Sequence, residues 1–184
     1  MSEWHLTTPL TDDDIEKLRA GDRVYLTGII YTARDAAHKR LVDTIEKGNP
    51  LPIELNGAVI YYAGPAPAPP GYPIGSIGPT TSYRMDKFTP QLHALGVKAT
   101  IGKGERSDAV KHALKTYKAV YLVTAGGVAA LLAKRVKRAE VIAYEDLGPE
   151  AIRLLEVDEF PCFVAYDMHG GDIFVQGVTQ YARK

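Results

Sequence analysis

The chain has one cysteine, no excess of either charge, and no apolar run long enough to cross a bilayer. Cys162 alone cannot form an internal disulfide, a CxxC site or the ligand set of an iron–sulfur cluster. Any metal cluster in its chemistry must therefore be ligated mostly or wholly by another polypeptide. Lysine plus arginine and aspartate plus glutamate balance at 22 each, so no field draws in nucleic acid or an anionic membrane. The longest apolar stretches, such as "AVYLV" (119–123), fall far short of the roughly 20 residues of a membrane span. The opening "MSEWHLTTPLTDDD" has neither a basic nor an apolar leader region, and a cytoplasmic location is the expectation. Metal spacing is missing too. His5, His38, His93, His112 and His169 form no HExxH or HxH, and surface or capping roles are expected for each.

What is present reads as an α/β protein. At 184 residues the chain suits one domain with a sizeable core. "LTDDDIEKLRAGD" predicts a short helix, capped by Thr11 or Asp12 and followed by Gly21. "RVYLTGIIYTA" (23–33) predicts a strand, "RDAAHKRLVDTIEKG" a helix and "GAVIYYAG" a second strand. A stiff loop follows, with prolines at 65, 67, 69, 70, 73 and 79. Met85, Phe88, Leu92 and Leu95 predict a helix starting near Asp86 or Thr89, because Pro90 fits only its first turn. Downstream, "VKATIGKG", "KAVYLVTAG" and "AEVIAY" read as strands, and "SDAVKHALKTY", "GVAALLAKRV" and "GPEAIRLLEV" as helices. "CFVAYDMHGGDIFVQ" reads as a strand pair turning at Gly170-Gly171, with Cys162 a small buried hydrophobe. Alternation of the two element types gives the class.

Nucleotide signatures fail: "GYPIGSIGP" matches neither GxxxxGK[ST] nor a clean GxGxxG. "TAGGVAALLA" follows a strand and opens a helix, so its amides can hold an anion, but close helix–strand packing at Gly126-Gly127 is the preferred reading. "GPTTSYRMD" (78–86) is the better site. Amides after Pro79, the Thr80 and Thr81 hydroxyls and Arg84 can converge on a carboxylate or phosphate; the alternative is a helix cap with Arg84 as a surface charge. Asp86 is read as a helix cap in preference to a partner that orients Arg84. Arg34 and Lys103 each end a strand, where α/β proteins bind ligands, although either can equally be a solvated charge. Together the cations point to a small, multiply charged anion.

"GNPLPIELNGAVIYYAGPAP", "GPTTSYRMD" and "IGKGERSD", with "RDAAHK" upstream, resemble the β subunit or C-terminal domain of class I iron–sulfur fumarate hydratases and the related L-tartrate dehydratases. The resemblance runs from about residue 6 to 177. It implies a single swivelling β/β/α domain over 1–184. It also implies an α subunit holding a [4Fe–4S] cluster with one open iron, in an α2β2 assembly. The implied reaction is reversible hydration of fumarate to L-malate, with tartrate dehydration to oxaloacetate as the alternative. A non-catalytic small-carboxylate-binding domain is the reading from another class. By that resemblance Arg34, Arg84 and Lys103 bind substrate carboxylates and Thr80 is the catalytic base, while the reading of the residues adds Thr81 to the substrate-binding set. Thr80 must then be polarised by those cations, since a free hydroxyl is a poor proton acceptor. Ser82-Tyr83 stands where the fumarases have a small Ala-Gly pair, which bears on the pocket edge.

Overall fold

The computed structural model describes residues 1–182. Its strands are β1 (Glu3–Thr7), β2 (Arg23–Thr32), β3 (Val59–Tyr61), β4 (Ala99–Gly102), β5 (Val120–Val123), β6 (Val136–Ala143) and β7 (Ile152–Tyr166). They lie in the order β1-β2-β3-β4-β5-β7-β6, and β7 also pairs with β2. That extra pairing closes β2, β3, β4, β5 and β7 into a five-stranded barrel, with β1 and β6 outside it. β1 to β5 run parallel, and β7 is antiparallel to each of its partners. Closure satisfies backbone groups that an open sheet would leave at its edges.

Alternation along β2 sends Val24, Leu26 and Ile30 inward. They meet Tyr61, Ile101, Leu122, Leu155, Phe160 and the buried Cys162 in the barrel core. Helix α1 (Asp12–Lys17) has a complete capping box between Thr11 and Asp14. The helices α2 (Asp35–Glu46), α3 (Thr89–Ala94) and α4 (Asp108–Thr116) cover the parallel strands, burying Leu41, Leu92 and Leu114. Pro90 sits in the first turn of α3, where its missing N–H costs no hydrogen bond. Two further helices are α5 (Ala129–Ala133) and α6 (Ile173–Tyr181). None of the described helices is long and apolar enough to cross a membrane.

Several expectations fail, each for a physical reason. "GPEAIRLLEV" is not a helix: a 3-10 turn at Glu145–Glu150 leads directly into β7. β7 is paired on both edges, by β2 and β6, and those ladders override the helix-forming residues. The buried positions Ile152 and Leu155 are three apart, a spacing that reads as helical in the sequence. In the expected strand pair only the first half is strand. Asp172 accepts hydrogen bonds from Phe174 N and Val175 N and so caps α6. The turn between them holds, with Asp167 Oδ1 accepting from His169 N and Gly171 N, both at 2.8 Å. β1 gave no sequence signal. His38 and His93 are buried core residues, not surface ones. Each ring fixes one nitrogen on a carbonyl, Arg34 O at 2.8 Å and Val97 O at 2.7 Å. Burial pushes both pKa values down to about 4.

Candidate active site

The carboxyl ends of β2, β3 and β4 deliver the predicted residues to one region. β2 ends at Thr32, placing Arg34 as the first residue before α2, while β4 ends at Gly102, immediately before Lys103. Residues 64–78 form a loop whose ends meet beside β3. An antiparallel bridge joins Ala63 to Pro79, and Thr80 N donates to Tyr62 O at 2.7 Å. A parallel bridge then joins Thr81 to Lys103, and the chain enters a 3-10 turn at Ser82–Met85. That turn carries Arg84 back over Thr80.

The side chains converge through a shared carboxylate. Arg84 Nη2 donates to Thr80 Oγ1 at 2.8 Å and to Asp35 Oδ2 at 3.1 Å. The same Asp35 oxygen lies 3.8 Å from Arg34 Nε, and Arg34 Nη2 lies 3.3 Å from Glu150 Oε1. The other Glu150 oxygen accepts from Ala36 N at 2.9 Å in the first turn of α2. Arg34 Nε is buried and makes no hydrogen bond. Its side chain runs along Gly64, where an added Cβ would stand 3.3 Å from Nη1 and 2.9 Å from Pro149 O. Arg34, Thr80 and Arg84 thus form one cluster. Lys103 adjoins it through the Thr81 bridge and points an exposed side chain toward Gly126. Thr81 joins through its backbone.

Two expectations about neighbours change. Gly126 and Gly127 are exposed; a Cβ at Gly126 would meet only Lys103, at 3.9 Å, and one at Gly127 nothing. Close packing therefore does not explain them. Asp86 neither orients Arg84 nor caps its own helix. Its Oδ1 accepts from Arg106 Nε and its Oδ2 from Ser107 N, both at 2.6 Å. Asp35, Glu150 and Arg106 were missed by sequence reasoning. Asp35 and Arg106 stood inside the quoted motifs, but no spacing rule links positions so far apart in the chain.

Of the pair Ser82-Tyr83, the serine faces the interior. It is buried against Gly102, where a Cβ would stand 1.8 Å from Ser82 Oγ, and it accepts from Lys103 N at 3.1 Å. Tyr83, by contrast, is exposed.

The residues present do not fit an iron–sulfur cluster. The one thiol is buried in β7, its pKa pushed up by burial, and among the described residues no three His, Cys, Asp or Glu side chains gather as a ligand set.

An α/β domain with a closed barrel and a cationic cluster at the strand carboxyl ends is the class of protein this defines. The chain belongs to the Fumarase C-terminus family, whose model matches residues 1–177. It is similar to Fumarate hydratase 2 of Leishmania major, with 40% identity covering 94% of this chain and 33% of that protein. It is similar to the anaerobic class I fumarate hydratase of Escherichia coli (strain K12), with 44% identity over 86% of this chain and 29% of that protein. Its similarity to the L(+)-tartrate dehydratase subunit beta of the same strain is 36% identity over 97% of this chain and 90% of that protein. The chain spans about a third of the length of the fumarate hydratases it matches, and nine-tenths of the beta subunit.

Proposed function

We propose that this chain is the β subunit of a hydro-lyase that reversibly hydrates fumarate to L-malate, supplying the carboxylate clamp and the proton-handling hydroxyl. The observation that carries the reading is the convergence of Arg34, Thr80 and Arg84 about Asp35 at the strand carboxyl ends. Arginine suits a carboxylate because its planar fork donates two parallel N–H bonds. Three cations, Arg34, Arg84 and Lys103, stand against two acidic groups, Asp35 and Glu150. The net positive potential favours a dianion.

In the dehydration direction a proton leaves the carbon next to a carboxylate, and charge builds on that carboxylate. Arg34, Arg84 and Lys103 stabilise the developing charge, a term that acts most strongly in the transition state. Thr80 takes the proton. The guanidinium donating to its oxygen favours the deprotonated form that this requires. A [4Fe–4S] cluster on a partner α subunit would supply the Lewis acid that takes the departing hydroxide, since among the described residues of this chain no ligand set for it gathers. An α2β2 assembly, a cytoplasmic location and a β/β/α unit that swivels as one domain against that partner complete the proposal.

A second reading is favoured by one observation: the L(+)-tartrate dehydratase subunit beta matches over nine-tenths of its own length as a separate chain. Both substrates are C4 dicarboxylates and need the same clamp. The test is to co-express the chain with an α-type subunit, purify the complex anaerobically, and assay L-malate and L-tartrate. Fumarate formation from malate supports the proposal. Turnover of tartrate alone moves the assignment to the second reading, and saturable dicarboxylate binding without turnover leaves a binding domain.

A further inference from the structure

We propose that Asp86 and Arg106 are positioning residues: a buried ion pair that fixes where Lys103 stands relative to Thr80 and Arg84. The inference rests on the functional reading above, because it assigns the pair a role in that clamp.

The two segments that carry the clamp meet at a narrow junction. Ser82 N donates to Lys103 O at 3.0 Å, and Lys103 N donates to Ser82 Oγ at 3.1 Å. Two bonds are a slender tether. Beneath them lies Arg106, whose side chain is fully buried. Asp86 is two residues beyond Arg84 and Arg106 three beyond Lys103, so their 2.6 Å contact ties the same two segments a second time. The second Asp86 oxygen takes Ser107 N at 2.6 Å, locking the residues after Lys103.

The rest of the guanidinium is committed as well. Nη1 donates to Thr100 Oγ1 of β4 at 3.2 Å; Nη2 donates to Thr89 Oγ1 of α3 at 2.8 Å and to Tyr62 Oη at 3.3 Å. Its carbon stands 5.2 Å from the Tyr62 ring centroid and 4.8 Å from that of Tyr121. Tyr121 connects this layer to the junction. Its hydroxyl lies 2.8 Å from Gly104 O and 2.9 Å from Ser82 Oγ. A carbonyl can only accept, so Tyr121 donates to Gly104 and Ser82 must donate to Tyr121. Ser82 Oγ then accepts the Lys103 amide, and a single consistent line of donors runs Lys103, Ser82, Tyr121, Gly104. The backbone of Lys103 is held from both sides by a layer whose centre is Arg106.

Stability alone does not account for such a pair. Desolvating two charges offsets much of their attraction, and apolar replacements of buried pairs are often neutral or better. What the pair supplies is geometry. A planar fork that makes four hydrogen bonds fixes its neighbours in a way that a lysine cannot reproduce. Misplacing a substrate-holding group by about 1 Å can cost about a hundredfold in rate.

Two variants, R106K and D86N, test this, and neither side chain belongs to the cluster that would touch substrate. The first readout is amide hydrogen exchange in the full chain. Exchange at Lys103 and Ser82 is expected to rise about tenfold or more, with the β5 amides of Tyr121 and Leu122 within about twofold of wild type. No change, or an equal rise everywhere, overturns the proposal. The second readout is a double-mutant cycle in the assembled complex. R106K raises KM for the dicarboxylate about tenfold with Lys103 present, and leaves it within about twofold in a K103M background. Additive effects overturn the positioning role. If the wild-type complex turns over neither malate nor tartrate, the functional reading fails, and the exchange pattern still decides whether the pair positions Lys103. If R106K does not fold, D86N, which keeps the shape of the carboxylate and removes its charge, gives the same pair of readouts.

Discussion

Arg84 Nη2 donates a 2.8 Å hydrogen bond to the hydroxyl oxygen of Thr80, while Asp35 holds the same nitrogen at 3.1 Å. The guanidinium is steered by one neighbour and aimed at the other. A hydroxyl oxygen facing a fixed cation loses its proton more readily, which a proton-accepting threonine needs. Thr80→Val removes the oxygen and keeps the shape. In the assembled complex it should lower kcat by about 10² to 10⁴, the usual range for a positioned acid–base group, with KM within about threefold. Steady-state kinetics in both directions make the comparison, and a kcat near wild type would remove Thr80 from proton transfer.

Arg84→Met and Lys103→Met act on binding instead. Lys103 is exposed, so its loss should leave folding stability within about 0.5 kcal/mol of wild type and raise KM about tenfold or more. Arg84→Met should raise KM by a similar factor and also lower kcat, because Thr80 loses its donor at the same time. Substrate saturation curves beside urea melts separate the two effects. Unchanged saturation in either variant takes that cation out of the clamp.

Gly102 and Ser82 are coupled by contact. A methyl at Gly102 would overlap Ser82 Oγ at 1.8 Å, so Gly102→Ala should cost about 1–3 kcal/mol as an overpacked substitution. Removing the serine side chain relieves the clash. The double variant G102A/S82G should be no less stable than G102A alone, although S82G by itself loses the bond from Lys103 N. Additive destabilisation in urea titrations would contradict this packing.

His38 and His93 set a pH dependence of stability. Burial lowers both pKa values to about 4 from an ordinary 6.5, chiefly by desolvation, with Arg106 adding a smaller push in the same direction. The neutral rings are favoured in the fold, so the unfolded chain takes up more protons below 6.5. Stability is therefore fully present above about pH 6.5 and is lost as pH falls toward 4. Between pH 7 and 5 each histidine should account for about 2 kcal/mol. Urea melts across that window measure it, and His38→Gln should flatten the slope. An unchanged slope in the variant would mean that His38 does not titrate in this way.

The parallel part from β2 to β5 was legible because its strands are apolar runs and amphipathic helices lie between them. β2, α2, β3, β4, α4 and β5 fall where periodicity places them. The antiparallel strand β7 and the outer parallel strand β1 were not. β7 is a bulged, doubly paired strand, and its pairing partners are distant in sequence. β1 carries His5 and Glu3 on an outer strand with little apolar pattern to read. Local periodicity cannot report either.

The site divides the same way. Arg34, Thr80, Arg84 and Lys103 were readable as cations and hydroxyls at strand ends. The carboxylates that organise them were not, since Asp35 reaches Arg84 across 49 positions and Glu150 reaches Arg34 from the far side of the barrel closure. Asp86 misled because its partner, Arg106, lies 20 residues on. A lone carboxylate before a helix reads as a cap until the fold supplies an arginine.

The most direct measurement of the central claim is a structure of the assembled complex with a bound C4 dicarboxylate. It should show ligand carboxylate oxygens within hydrogen-bond reach of Arg34 and Arg84, Lys103 closing the other end, and Thr80 Oγ beside the carbon that loses its proton. A dicarboxylate seated elsewhere, with Arg34 and Arg84 still held only by Asp35 and Glu150, would contradict the account.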